Sequence, residues 1–358
     1  MKSPLLRYGY LNAKLRARMA EMRDSQVLEK AREAGSLLEV LEALKGTAYQ
    51  ELAEIYNSTG DLGLVEKALL ERELLERQWV LGCLDEKPRK AASFLLQKIE
   101  IDNLKNTIRI WLDCRFWDLS PSNRMNYLLK RHIYSDVNWD ELINSTSWEA
   151  FCKGLDGTVY QKACQSYSAE GLKNDQLAFL EMDLDKILYS AYETSLKELG
   201  GQDRKVATDI LNRDIDLKNL LILMRYGTFY KLDSKRISSL LLQGGAVNGS
   251  KALSDYLASR DALGLVKRFM PALAARLDRD SFSGNALLET MLEIEHFLGS
   301  ERKKEYTMVL RRHPFTMALV LAYFFVYDNN DRVLRTLLNA KAYKMDKESM
   351  GDFHDSVH

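Results

Sequence analysis

One unit written three times over is what most constrains how this chain can fold. Asn103-Leu104 is followed by Arg109, six residues after the Asn, and Asn219-Leu220 is followed by Arg225 at the same interval. The step from Asn103 to Asn219 is 116 residues. A further 114 on stands Val333-Leu334, with Arg335 where the first copy has Lys105 and Asn339 where it has Arg109. Gly46-Thr47-Ala48-Tyr49-Gln50 recurs 111 residues later as Gly157-Thr158-Val159-Tyr160-Gln161, and no third copy is legible near 266–269. Glu66 with Leu69, Glu181 with Leu184 and Glu289 with Leu292 make a further series in the same order. Repeats decide architecture before any local argument does. A period near 115 in 358 residues predicts three helical units, 1–135, 136–246 and 247–358, with pseudo-three-fold symmetry.

Within each unit the apolar residues keep helical period. Leu64, Val65, Ala68, Leu69, Leu75 and Trp79 fall on one side of a helix. Leu177, Leu180, Leu184, Ile187, Leu188 and Ala191 do the same in the second unit, and Leu287, Leu288, Met291, Leu292 and Leu298 in the third. Five prolines are few against a usual share of about 5%, and no stretch alternates as a strand does. The class expected is all-α. Ser120-Pro121 reads as a cap followed by a first turn, with matching breaks at Leu232-Asp233-Ser234 and Met345-Asp346-Lys347. The Gly-rich stretch 243–250 reads as the linker into the third unit.

Chemistry is hard to find. The chain has no Gly-x-Ser-x-Gly and no Gly-x-x-x-x-Gly-Lys-Ser/Thr. No catalytic, cofactor-binding or metal site is assigned. Of five histidines only His354 and His358 have ligand spacing, and they stand in the tail, where fraying is expected. Four cysteines show no paired spacing and read as reduced thiols of an intracellular protein. Lys plus Arg equals Asp plus Glu at 51 each, which argues against nucleic acid as a partner. The longest apolar run, 317–327, is eleven residues, against about 20 for a membrane span. Neither a secretory leader nor membrane insertion is expected.

Asn103 and Arg109 lie about 120° apart around a helix, too far to converge on one reacting centre. Asn103, Leu104, Arg109, Asn219, Leu220, Arg225 and Leu334 therefore read as packing residues: the Asn meets backbone groups, and the Arg pairs with a carboxylate. Contact with a partner is the other reading. Lys14, Arg16 and Arg18 make the first helix basic, a candidate docking face for an acidic partner.

Several segments together resemble one family. Tyr10-Leu11-Asn12-Ala13-Lys14-Leu15-Arg16-Ala17-Arg18 resembles the first helix of the C subunit of A/V-type rotary ATPases, which is related to the d subunit of the eukaryotic V-type ATPase. Glu100-Ile101-Asp102-Asn103-Leu104-Lys105 and Asp214-Ile215-Asp216-Leu217-Lys218-Asn219-Leu220-Leu221 look like its repeated acidic-apolar-acidic signature. His313-Pro314-Phe315-Thr316 leading into Leu319-Val320-Leu321-Ala322-Tyr323 resembles the signature of its third unit, although His313 stands where the family commonly has an acid. The third copy also lacks the Asn and the Arg. The resemblance covers essentially the whole chain. It implies a funnel-shaped protein of three helical domains around a central cavity. It implies a non-catalytic rotor part seated on the cytoplasmic face of the membrane proteolipid ring, holding the foot of the central shaft (the D and F subunits), with no nucleotide site of its own. An α-helical repeat scaffold that binds a protein or peptide is the alternative.

Overall fold

The computed structural model describes residues 3–23, 26–117, 127–284 and 286–344, and these build an all-α protein with no strand among them. The breaks expected at Ser120-Pro121 and 345–347, and the tail with His354 and His358, lie outside the described residues. Seven helices of twenty residues or more carry the architecture: α1 (Pro4–Arg23), α2 (Leu62–Gly82), α3 (Phe94–Phe116), α4 (Leu177–Leu196), α5 (Gly201–Ile222), α6 (Ala286–Arg312) and α7 (Ala318–Ala342).

Local chemistry sets where the helices begin and end. The Asp61 carboxylate accepts from the Gly63 N–H at the start of α2, 2.8 Å away. Asp233 accepts from Arg236 N–H at 2.9 Å and starts the helix Ser234–Leu240 at the break read from the sequence. Each such cap satisfies a donor that has no partner inside the helix. The two Gly-Thr-x-Tyr-Gln segments fold alike. Gly46 and Gly157 take φ of 71° and 75°, a region costly for residues with a Cβ. Thr47 and Thr158 then donate to Leu44 O and Leu155 O, at 2.6 and 2.7 Å.

The chain divides into two compact units, one of Met1–Leu199 with Val326–Met345, the other of Gly200–Phe325. In the first unit α3 packs against α2 and α4. Its core holds Leu104, Trp111, Trp148, Phe151, Tyr160 and Leu184. Trp148 stacks on Phe151 at 4.9 Å, with Trp111 tilted against Trp148 at 5.4 Å; such pairs add about 0.5–1.5 kcal/mol beyond area burial. In the second unit α5 packs on α6 and runs on into a π-helical segment, Leu223–Phe229. That segment brings Gly227 against Tyr256, whose hydroxyl would lie 2.2 Å from an added Cβ.

Two apolar faces differ from the sequence reading. Leu75 on α2 is exposed, while Leu74, Arg77, Val80 and Leu81 are buried. The buried arc of α2 is wide and has Arg77 near its middle, because a carboxylate from α7 meets it there. On α6, Leu288 and Leu292 are exposed, and the buried face runs Thr290, Met291, Ile294 and Leu298, about 100° around the helix.

Candidate functional site

Asn103 on α3 and Asn219 on α5 act as the same clamp. Asn103 Nδ2 donates to Leu129 O, and Leu129 N–H donates back to its Oδ1, both at 3.0 Å. Asn219 does this with Leu242, at 2.9 and 2.8 Å. One side chain thus satisfies both backbone groups of a returning segment that is otherwise irregular. Three residues earlier on each helix a carboxylate brackets the same return. Glu100 Oε2 accepts from the N–H groups of Tyr134 and Ser135, and Asp216 Oδ1 from that of Val247 at 2.7 Å. Leu104, Leu220 and Leu334 are all buried beside these positions.

The arginines reach outward to other helices. Arg109 pairs with Glu181 of α4 at 2.6 Å, and Arg225 pairs with Glu295 of α6 at 2.7 Å. Asn339, the third-copy counterpart, donates to Glu66 of α2. Lys105 pairs with Asp185 at 2.7 Å, and its counterpart Arg335 with Glu73 at 3.3 Å. These pairs tie the helix of Asn103 to 181–185, the helix of Asn219 to 295, and α7 to 66–73.

The last of these seams is the most polar. Fully buried Arg77 pairs with Glu73 at 3.0 Å and with Asp328 at 2.6 Å; Lys98 also reaches Asp328. Arg72 donates to the Tyr327 hydroxyl, and Tyr49 OH donates to Asp331 Oδ1 at 3.3 Å. Asp331 Oδ2 is buried with no hydrogen-bond partner among the described residues. Burial, with Glu73 nearby, pushes the Asp331 carboxyl up to about 7 against the pull of Arg335 and Arg72. Burial and then Asp331 push the Tyr49 phenol upward. Asp328 goes the other way: burial would raise it, but Arg77 and Lys98 outweigh that and hold it low.

This seam was not foreseen in the sequence. Its signal was there: Tyr327, Asp331 and Arg335 stand four apart, on one side of a helix whose first half is apolar. The arrangement is one of polar registry. It brings together no nucleophile and base. Burial pushes the Cys152 thiol up to about 12, so it stays protonated and unreactive.

The basic face of α1 is divided. Arg18 lies over the Trp79 ring, 3.9 Å from its centroid, and pairs with Glu76, while Arg16 donates to Asn12 at 2.7 Å. Lys14 faces the Tyr10 ring at 6.0 Å. Arg18 therefore serves to fix α1 on α2. Between α5 and α6 a cleft is lined by Arg213, Asp214, Arg302 and Glu305, and its charges pair across it: Arg213 with Glu305 and Arg302 with Asp214. No group of three or more His, Cys, Asp or Glu among the described residues could hold a metal ion.

Comparison with known proteins bears on the whole chain. The family described as ATP synthase (C/AC39) subunit matches residues 11–353. The C subunit of the A-type ATP synthase of Methanocaldococcus jannaschii is 22% identical over 346 residues, covering 96% of this chain and 85% of the relative. That of Pyrococcus horikoshii is 23% identical over 335 residues, covering 92% and 85%. That of Thermococcus kodakarensis is 20% identical over 351 residues, covering 98% and 91%.

Proposed function

The chain belongs to the ATP synthase (C/AC39) subunit family, and on that premise we propose that it is a non-catalytic rotor part of an A/V-type ATPase. In this reading it is a socket that couples the central shaft (the D and F subunits) to the membrane proteolipid ring. The observation that carries it is the match to the C subunits of A-type ATP synthases through nearly the full length of both partners. It sits on the cytoplasmic face through protein contacts; no helix among the described residues is long and apolar enough to cross a membrane.

The fold proposed with this role is an internal triplication, 1–135, 136–246 and 247–358, closing into a funnel around a central cavity. The repeated Asn clamp and the order of the ion-paired seams support it. A part that passes torque must not yield or slip. Packed helices are stiff, and polar seams between copies fix register as apolar contact alone does not.

The test is to recover the tagged chain from its native membranes in mild detergent. Shaft and ring proteins should come with it in fixed proportion, and the isolated chain should bind no nucleotide. Recovery without either partner, or tight ATP binding by the isolated chain, would sink the proposal. Binding to extended peptides instead would favour an α-helical scaffold.

A further inference from the structure

Three carboxylates stand around Arg77 where α7 meets α2, and only two of them have a cation beside them. Asp328 pairs with Arg77 at 2.6 Å and with Lys98 at 3.3 Å. Glu73 pairs with Arg77 at 3.0 Å and with Arg335 at 3.3 Å. Asp331 is 2% exposed and forms no ion pair among the described residues. Its one hydrogen bond there comes from Tyr49 OH, which reaches Oδ1 at 3.3 Å, while Oδ2 has no partner. Arg72, which lies over the Tyr49 ring, commits its guanidinium to Ala48 O and the Tyr327 hydroxyl. The charged and titratable groups of the seam are thus Tyr49 before the helix Gln50–Thr59, Arg72, Glu73 and Arg77 on α2, Lys98 on α3, and Tyr327, Asp328 and Arg335 beside Asp331 on α7.

An ionised Asp331 would be a buried charge near Glu73, with one long hydrogen bond in place of its hydration. A neutral carboxyl suits the position. The helix that carries it is also the part of the first unit best able to leave alone. Residues 200–325 separate it in sequence from the rest of that unit. The core around Leu104, Trp111, Trp148 and Phe151 holds no residue of α7. An element docked on a body with its own core can open without unfolding that body. We propose that α7 is a proton-operated latch on the first unit: with a proton on Asp331 the stretch 326–344 seats on α2, and loss of that proton lets the stretch lift while the body stays folded.

The direction follows from the two states of the carboxyl. Seated, it is pushed up to about 7 by burial and then by Glu73. Lifted, it meets water and titrates near the ordinary value of about 4. The seat is therefore firmest below about pH 4, weakens by up to about tenfold per pH unit as pH rises towards 7, and changes little above that. Acidification fastens the latch.

Hydrogen exchange of the full chain, followed by mass spectrometry from about pH 5 to about pH 8.5, tests this. Wild type and Asp331→Asn, which mimics the protonated acid, are compared at each pH so that the intrinsic chemistry of exchange cancels. Exchange of 326–344 in wild type relative to the variant should rise by about tenfold or more between pH 5 and 7 and then level off. The same ratio for α4 should stay constant. Tyr49→Phe, which removes the one donor to the Asp331 carboxylate, should move the levelling to higher pH. If Asp331→Asn does not fold, the wild-type ratio of 326–344 to α4 across the same pH range takes its place. A flat ratio over 326–344 would overturn the latch. So would a rise shared by α4, which would make Asp331 a determinant of the stability of the whole unit.

Discussion

Asn219 is wholly buried, and its amide is engaged at both ends by Leu242. Replacing it with Ala leaves the buried Leu242 N–H unpaired and leaves Leu242 O with only the longer bond from Asn248 Nδ2, at 3.3 Å. Asn219→Ala should therefore lower unfolding stability by about 1–3 kcal/mol in urea titration, with no comparable change for an exposed Asn. Asp331 makes a prediction about pH. Its folded pKa, about 7, lies above the ordinary carboxyl value, so the folded chain holds the proton more tightly than the unfolded one. The resulting stabilisation is complete below about pH 4 and is lost as pH rises through 7, at up to about 1.4 kcal/mol per unit. Asp331→Asn mimics the protonated acid. The stability of wild type relative to this variant should decline between about pH 4 and 7 and then level off; a flat difference would show that Asp331 does not titrate there. The positions of the two clamping asparagines were legible because the repeat printed them twice. Their partners were not: Leu129 and Leu242 are 26 and 23 residues downstream, in segments with no period to read.

Helices are where the sequence was most legible, since apolar spacing and caps act over a few residues. Which way a helix faces depends on what packs against it, and there α2 and α6 departed from the simplest face. α2 turns Arg77 inward because Asp328, 251 residues away in sequence, supplies the opposite charge. The π segment was invisible for a related reason. Its extra residue per turn is held by a distant contact: Tyr256 OH donates to Leu223 O at 2.8 Å, across the space where Gly227 has no Cβ. Gly227→Ala would force that buried phenol aside or return the segment to α-helical winding. A loss of about 1–3 kcal/mol is expected in chemical denaturation, and the loss caused by Gly227→Ala should be smaller in a Tyr256→Phe background, which lacks the obstructing oxygen but also its bond to Leu223 O, than in wild type; an equal loss in both would rule out the clash as its cause. The linker at 243–250 was readable from its glycines, and the structure explains one of them. Gly245 takes φ of 71°, and a Cβ there would stand 2.3 Å from Asp216 Oδ1.

At the scale of the whole molecule, family and helical class were open to a reading of repeats and signatures, while the seam that ties α7 to the first copy was not. Asp328→Ala would strip Arg77 of its closest counter-charge and free Lys98. Because Asp328 is partly exposed, the expected cost lies between the roughly 1 kcal/mol of a surface pair and the roughly 3–5 kcal/mol of a buried one. Chemical denaturation of the variant checks it, and a double variant with Arg77→Met should recover part of the loss. The seam also bears on how the protein is made. Tyr49 meets Asp331 across 282 residues and Glu66 meets Asn339 across 273, so the first unit depends on contacts among the longest the chain allows. A ribosome releases Arg77, with Glu73 one turn before it, long before it releases α7, which brings the second counter-charge, Asp328. The burial of Arg77 is completed only when α7 docks, a late, high-contact-order step.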